Sequence, residues 1–380
     1  MYSTFDSDAP RQKIAAKLLS INWGLLLLLG CIAGIGFAML YSAANGHWQP
    51  WASKQMVRFA VSVAVMLLVA MVDLRFWMRT AYTFYGIAFV LLIAVEIRGA
   101  VGMGAQRWID LGVIQLQPSE LMKIAVVLVL ARYFSTLTPE EVGRPTRLVV
   151  PTLLIMIPAV LVLKQPDLGT AMMLVLGGGA MFFLVGVRWW KFAIVLAGGG
   201  AVIPVAWRFL KAYQKNRIYT FLDPENDPLG AGYHSLQSKI AIGSGGLFGK
   251  GFLMGSQAHL SFLPERQTDF IFTMLAEEFG LVGGLVLLGL YTLVFVYGFA
   301  IAFRCRSHFG RLLALGVTIN VFLYVFINTA MVMGLIPVVG VPLPLISYGG
   351  TAMLTVMFGF GLMMCAYVHR DARLGRGGDE

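Results

Sequence analysis

SFLPERQTDFIFTMLAEE, residues Ser261 to Glu278, sets Glu265, Arg266, Asp269, Glu277 and Glu278 against an apolar run that continues to residue 303. The run, 274–303, exceeds the roughly 20 residues needed to cross a bilayer. It is read as a membrane helix that tilts or projects beyond the hydrocarbon. Charge this dense is unusual for the chain: of 380 residues, 58% are hydrophobic and 13% charged, against about 25% charged in soluble domains. The chain is an integral membrane protein. A carboxylate such as Asp269, where a polar loop enters a membrane helix, is then either an anchor or chemistry.

Outward from this stretch, nine further apolar runs of spanning length appear, at about 21–42, 55–72, 80–96, 120–135, 148–164, 170–187, 191–208, 312–333 and 351–368. The expectation is an all-α polytopic membrane protein with ten transmembrane helices. Residues 1–20 form an N-terminal tail, 21–368 a single membrane domain and 369–380 a C-terminal tail. The first run is too long for the apolar core of a cleaved signal peptide. Sixteen Lys and Arg residues, including Arg75, Arg79, Arg144, Arg147, Arg188 and Lys191, fall on the side of the N-terminus. Six (Lys54, Arg58, Arg98, Arg107, Lys123 and Lys164) fall in short segments on the other side. By the positive-inside rule both termini are cytoplasmic. The long polar segment 208–268, between the seventh and eighth spans, is then a large extracytoplasmic loop.

That topology accounts for the net charge of +10 without nucleic acid, for which no basic–aromatic stripe exists. Cys31, Cys305 and Cys365 lie in or at the ends of apolar runs and read as packing residues. The glycine-rich GSGGLFGKG, Gly243 to Gly251, lacks the spacing of a phosphate-binding loop and its Ser or Thr after the lysine. The five histidines make no i, i+4 metal pair. Gly30 with Gly34, Gly280 with Gly284, and the triplets 177–179 and 198–200 read as close helix-packing points.

Ionisable residues inside spans are functional candidates by default, and the span centres hold almost none. Polar residues gather instead at the outer helix ends. Glu120 and Lys123 follow Ser119, a plausible N-cap; Asp167 follows Lys164-Gln165-Pro166; Asp269 and Glu277 enter the eighth span; Ser347 and Tyr348 precede the tenth. Together they predict a polar cavity open to the outer leaflet. Each has a plainer reading. Glu120 and Lys123 make an i, i+3 pair of little worth, Asp167 caps a helix, Arg266 reaches for headgroups, and Asp269 caps the eighth span.

Five blocks carry a resemblance: RWIDLGVIQLQPSELMK (Arg107 to Lys123), KQPDLGTA (Lys164 to Ala171), QSKIAIGSGGLFGKG (Gln237 to Gly251), FLPERQTDFIF (Phe262 to Phe272) and GLIPVVGVPLPLISYGGTA (Gly334 to Ala352). In this order they resemble the signature blocks of the shape, elongation, division and sporulation family of bacterial membrane proteins, and the short tails are most similar to its elongation branch. The resemblance implies ten helices and a peptidoglycan glycosyltransferase that polymerises lipid II at the outer face of the cytoplasmic membrane. It implies a class B penicillin-binding transpeptidase as partner, the elongation machinery of MreB, MreC and MreD, and a divalent cation, Mg²⁺ or Mn²⁺, with unknown ligands. A lipid II flippase and a non-enzymatic scaffold for the transpeptidase are the alternatives. Asp269 matches the family's essential aspartate and is the expected catalytic base. Glu120 and Lys123 match family positions, Lys123 facing pyrophosphate and Glu120 orienting it. Asp167, Arg217, Gln237, Ser238, Lys239, Glu265, Arg266 and Ser347 are further candidate substrate contacts.

Overall fold

The computed structural model describes residues 14–102, 105–110, 115–209, 231–259 and 265–372, with 215, 219, 221 and 374 as single positions. A short α1 (Ile14–Leu19) precedes α2 (Trp23–Ala43), α3 (Ala52–Met71) and α4 (Leu74–Arg98). Then come α5 (Pro118–Thr136), a turn of helix α6 (Pro139–Val142), α7 (Pro145–Lys164), α8 (Leu168–Val185) and α9 (Trp189–Phe209). After α10 (Ala231–Ser244) and α11 (Ser256–His259), the chain closes with α12 (Ile271–Arg304), α13 (His308–Val332) and α14 (Gly350–Val368). Every expected span falls on one of these helices. Among the described residues eight are long and apolar enough to cross a membrane; α5 and α9 are the two expected spans outside that set.

The expectation of an all-helical chain is corrected between α4 and α5. There β1 (Ala100–Gly102), β2 (Ala105–Asp110) and β3 (Gln115–Leu116) form a small antiparallel sheet. It holds Arg107 over the end of the bundle where α5 starts. The helix α5 begins at Pro118, which needs no amide partner there, so Ser119 is its second residue and not its cap.

The bundle is built around α5, α13 and α14. Most of α5 is buried, although its sequence is apolar all round, as expected for a helix surrounded by others. In the connection from Met333 to Gly349, the second half, residues 341–347, is also largely buried. It runs back into the same end of the bundle, and the tight approaches are at glycines. A Cβ on Gly36 of α2 would lie 2.8 Å from Ile346 Cα, and one on Gly169 of α8 would lie 2.5 Å from the Val339 carbonyl oxygen.

The long helix α12 is not one rod. Its 34 residues would measure about 51 Å, well beyond the ~30 Å hydrocarbon core. Gly280 breaks it, with φ 67° and ψ −162°, a conformation that glycine reaches without steric cost. The glycine-rich segment absorbs the break. The amides of Lys250 and Gly251 donate to the carbonyls of Glu277 and Glu278, each at 3.0 Å. The amides of Leu281 and Val282, which lose those helical acceptors, donate to Gly246 O at 2.9 Å and Leu247 O at 3.1 Å. A Cβ on Gly245 or Gly249 would sit 2.1 Å from the carbonyl oxygen of Ala276 or Glu278. The glycines of GSGGLFGKG thus let one backbone lie against another.

Two of the expected glycine packing points are corrected. Among the described residues nothing comes within 4 Å of a Cβ built on Gly30, Gly34, Gly198, Gly199 or Gly200. Gly280, paired with Gly284 in sequence, serves the break instead.

Candidate active site

Asp269 lies in the turn 265–270, just before α12 begins at Ile271. The turn is pinned from three sides. Asn328 of α13 donates through Nδ2 to the Asp269 carbonyl at 2.9 Å and to Val341 O at 2.7 Å. Ser347 donates from Oγ to Thr268 O at 2.6 Å and accepts from Leu343 N at 2.7 Å. The amide of Tyr348 donates to Gln267 O at 2.8 Å. These tie the turn to α13 and to the buried connection before α14, so the aspartate has a fixed backbone and a side chain left for other work.

Among the described residues that carboxylate accepts no hydrogen bond. Its Oδ2 faces Gly340, where an added Cβ would sit 3.4 Å away. Burial, with the charges of Glu265 and Asp167, pushes the Asp269 carboxyl up to about 6; Arg107 opposes them. Asp167 caps α8, its Oδ1 accepting from Thr170 N and its Oδ2 from Thr170 Oγ1, each at 3.0 Å. Gln117 Nε2 approaches the same Oδ2 at 3.4 Å. Arg107 donates from Nε to Gln165 O at 3.1 Å and from its terminal nitrogen to Pro166 O. Three separate stretches of sequence therefore meet: the β2 arginine, the α7–α8 turn and the turn before α12.

Glu120 and Lys123 form a second layer, buried between α5, α8 and α13. Lys123 Nζ lies 2.7 Å from Glu120 Oε1 and 4.1 Å from the centre of the Tyr324 ring. Tyr324 donates its hydroxyl to Glu120 Oε2. Both charged residues are 3% exposed, so the surface-pair reading is corrected. Each charge is matched by partners in low dielectric, where an unmatched one is costly. Asp167 is within electrostatic range of Asp269 and of Tyr324, and links the two layers.

The other candidates divide. Glu265 accepts from Thr268 Oγ1 at 2.9 Å and stays beside Asp269. Arg266 sits 6.0 Å above the Trp51 ring, and burial lowers its guanidinium pKa. Ser238 is fully buried, its hydroxyl shared between Thr273 Oγ1 and Val332 O, both at 2.7 Å. Gln237 Oε1 is buried without a partner among the described residues. Lys239 lies exposed with its stem against Gly334. Arg217 lies outside the described residues.

Glu277, expected with Asp269 among the residues of the polar cavity, is fully buried and turned to the glycine-rich segment instead. Its Oε1 accepts from Lys250 Nζ at 2.7 Å, Gln257 N at 3.0 Å and Ser256 Oγ at 3.2 Å. Glu278 accepts from Ser42 Oγ of α2 at 2.5 Å. Sequence reasoning missed Asn328, Tyr324 and Gln117, and counted Arg107 only as a loop cation. Asn328 stands inside an apolar span, and a search for amides as well as ionisable groups there would have found it.

The chain is similar in sequence and in fold to known proteins. The family model described as "Cell cycle protein", covering FtsW, RodA and SpoVE, matches residues 16–372. The peptidoglycan glycosyltransferase MrdB of Escherichia coli K12 is 44% identical over 367 residues, 96% of this chain and 98% of that protein. The peptidoglycan glycosyltransferase RodA of Treponema pallidum is 34% identical, over 90% of this chain and 96% of that one. Among solved structures, a chain from a peptidoglycan synthase complex that coordinates polymerization and crosslinking superposes with a TM-score of 0.79. It is 33% identical and covers 93% of this chain and 99% of its own. The rod shape determining protein RodA of Thermus thermophilus superposes with a TM-score of 0.71 at 29% identity, over 93% and 99% of the two chains. The chain belongs to the FtsW, RodA and SpoVE family of cell cycle proteins.

Proposed function

We propose that the protein is a peptidoglycan glycosyltransferase that polymerises lipid II into glycan strands during cell elongation, with Asp269 as its general base. One observation carries the role of Asp269. Its backbone is pinned by three contacts while its carboxylate, raised to about 6, accepts no hydrogen bond among the described residues. A base raised toward the working pH is ionised at neutrality yet more proton-hungry than an ordinary aspartate. It would take the proton of the acceptor sugar's 4-hydroxyl as that oxygen attacks the anomeric carbon. The leaving pyrophosphate carries its own negative charge and needs cations rather than a protonating acid. Arg107, opposite Asp269, supplies one, and Lys123 with its Glu120 partner stands in the layer beneath.

A divalent cation, Mg²⁺ or Mn²⁺, fits this donor set. Among the described residues no three His, Cys, Asp or Glu side chains gather as a cage. Asp269 and Asp167 nevertheless bring two carboxylates within electrostatic range, and Mg²⁺ is commonly held by one or two carboxylates with substrate phosphates. Asp167 would hold it together with the substrate's phosphate oxygens, leaving Asp269 as the base, and when bound it would neutralise pyrophosphate charge.

The Lys and Arg distribution supports ten spans with both termini cytoplasmic. The Asp269 end then faces outward and segment 208–268 is extracytoplasmic, in the inner membrane of the cell. A class B transpeptidase that crosslinks the product, and the MreB, MreC and MreD machinery, are the proposed partners. The test is polymerisation of fluorescent lipid II by the full chain with its transpeptidase in proteoliposomes. Asp269→Asn should abolish glycan strands while the partner still co-purifies. Strand synthesis at the wild-type rate by that variant would overturn the assignment, and a translocation readout on the same liposomes separates a flippase.

A further inference from the structure

At the end of the bundle opposite Asp269, α7, α8 and α9 do not close on one another. From residue 193 to 201 every described position of α9 is exposed. Between the three helices runs a groove of about 450 Å³, lined by Leu148, Ile155, Gly179, Phe182, Ile194 and Val195. Its mouth is made by Pro145, Val187, Trp190 and Lys191. The mouth is cationic. Arg144 precedes Pro145, Arg188 follows Val187, and Arg147 lies one turn into α7. Glu141 faces two of these cations, pairing with Arg147 at 3.3 Å and lying within electrostatic range of Arg144, whereas Arg188 makes no ion pair among the described residues. Lys191 donates to Gly143 O at 2.5 Å, drawing the start of α9 to the loop before α7. The N-termini of α7 and α9 add their positive dipole ends. Trp189 and Trp190, both exposed, are side chains that favour the headgroup level.

An apolar groove open to hydrocarbon takes a hydrocarbon chain, and a cationic mouth at headgroup depth selects what is attached to it. A partner helix would suit the apolar walls but not the excess of cations at the mouth, where Arg144, Arg147, Arg188 and Lys191 outnumber Glu140 and Glu141. We propose that this groove is a binding site for an anionic phospholipid, one acyl chain lying between α7, α8 and α9 and the phosphate group held by Arg144, Arg188 and Lys191. The lipid fills the gap that leaves α9 standing off the bundle. The site is distinct from the Asp269 centre and does not depend on the activity assigned to it.

The full chain, reconstituted in nanodiscs of equal parts phosphatidylcholine and phosphatidylglycerol, is released and its retained lipid counted by native mass spectrometry. Wild type should retain phosphatidylglycerol in preference to phosphatidylcholine. Arg144→Gln with Arg188→Gln should reduce that preference by about tenfold or more, since each surface cation near an anionic headgroup is worth roughly fivefold. Gly179→Leu fills the groove where nothing among the described residues lies within 4 Å of the added Cβ, and should lower retention of both lipids. Equal retention of the two lipids by wild type would overturn the proposal. So would an unchanged preference in the double variant, or undiminished retention by Gly179→Leu. A dimer that Gly179→Leu dissociates would give the groove to a second copy and overturn it equally.

Discussion

Replacing Asp269 by Asn separates catalysis from stability, because the two should move in opposite directions. The carboxyl titrates at about 6 in the fold against a reference of 3.8, so the folded chain holds its proton more tightly than the unfolded one. The sign follows from linkage. The fold is favoured while the group is protonated, and that advantage is lost as pH rises from 3.8 through 6. At pH 7 the ionised carboxylate therefore costs about 3 kcal/mol of stability, falling to about 1.5 at pH 5 and about 0.5 at pH 4. Asparagine removes the charge and sacrifices no hydrogen bond found among the described residues. The variant should melt several degrees above wild type at pH 7 by intrinsic tryptophan fluorescence in detergent, and together with wild type near pH 4. Strand synthesis should fall by about 10²–10⁴, the usual worth of a positioned base. In wild type, kcat/KM should climb with pH and level off above about 6. A variant less stable than wild type at neutral pH, or a stability difference that ignores pH, would refute the claim that Asp269 is held strained and ready.

Other perturbations probe the scaffold. Gly280→Ala forces a side chain into φ 67° and within 2.4 Å of Gly249 N. It should destabilise the protein by at least about 1–2 kcal/mol, whereas Gly284→Ala, whose Cβ meets only Phe272 at 3.6 Å, should be tolerated in the same melting assay. Glu277→Gln removes the buried charge that Lys250 neutralises. Limited proteolysis should then cut within residues 245–257 faster than in wild type. Tyr324→Phe leaves Glu120 short of a donor in a buried site, at a cost of about 1–3 kcal/mol. A double-mutant cycle with Glu120→Gln should return a coupling of comparable size, and additive effects would mean the two do not act together.

What the sequence made legible was where charge is and where it is absent. Asp269 stood out because a carboxylate is conspicuous beside an apolar run, and the helix positions followed from the length of those runs. The glycines behaved differently. Gly245 and Gly249 read as a failed phosphate loop, since their cause is a carbonyl that an added Cβ would meet at 2.1 Å, on a segment some thirty residues later in the chain. No local pattern encodes such a distance. Gly30 and Gly34 read as packing points, but small-residue spacing says only that a helix surface is indented, not that anything occupies it. Asn328 leaves no mark in a charge pattern because an amide is neutral, yet it positions the Asp269 backbone. Glu120 and Lys123 were visible as a pair, but their burial depends on α8 and α13 closing around α5. The same limit applies to Gly198–Gly200 in α9, which read as a contact and face open space among the described residues. A helix that touches little leaves no signature in its own residues. Its groove becomes apparent only with α7 and α8 in place, and the arginines at its mouth, first read as markers of orientation, then acquire something to bind.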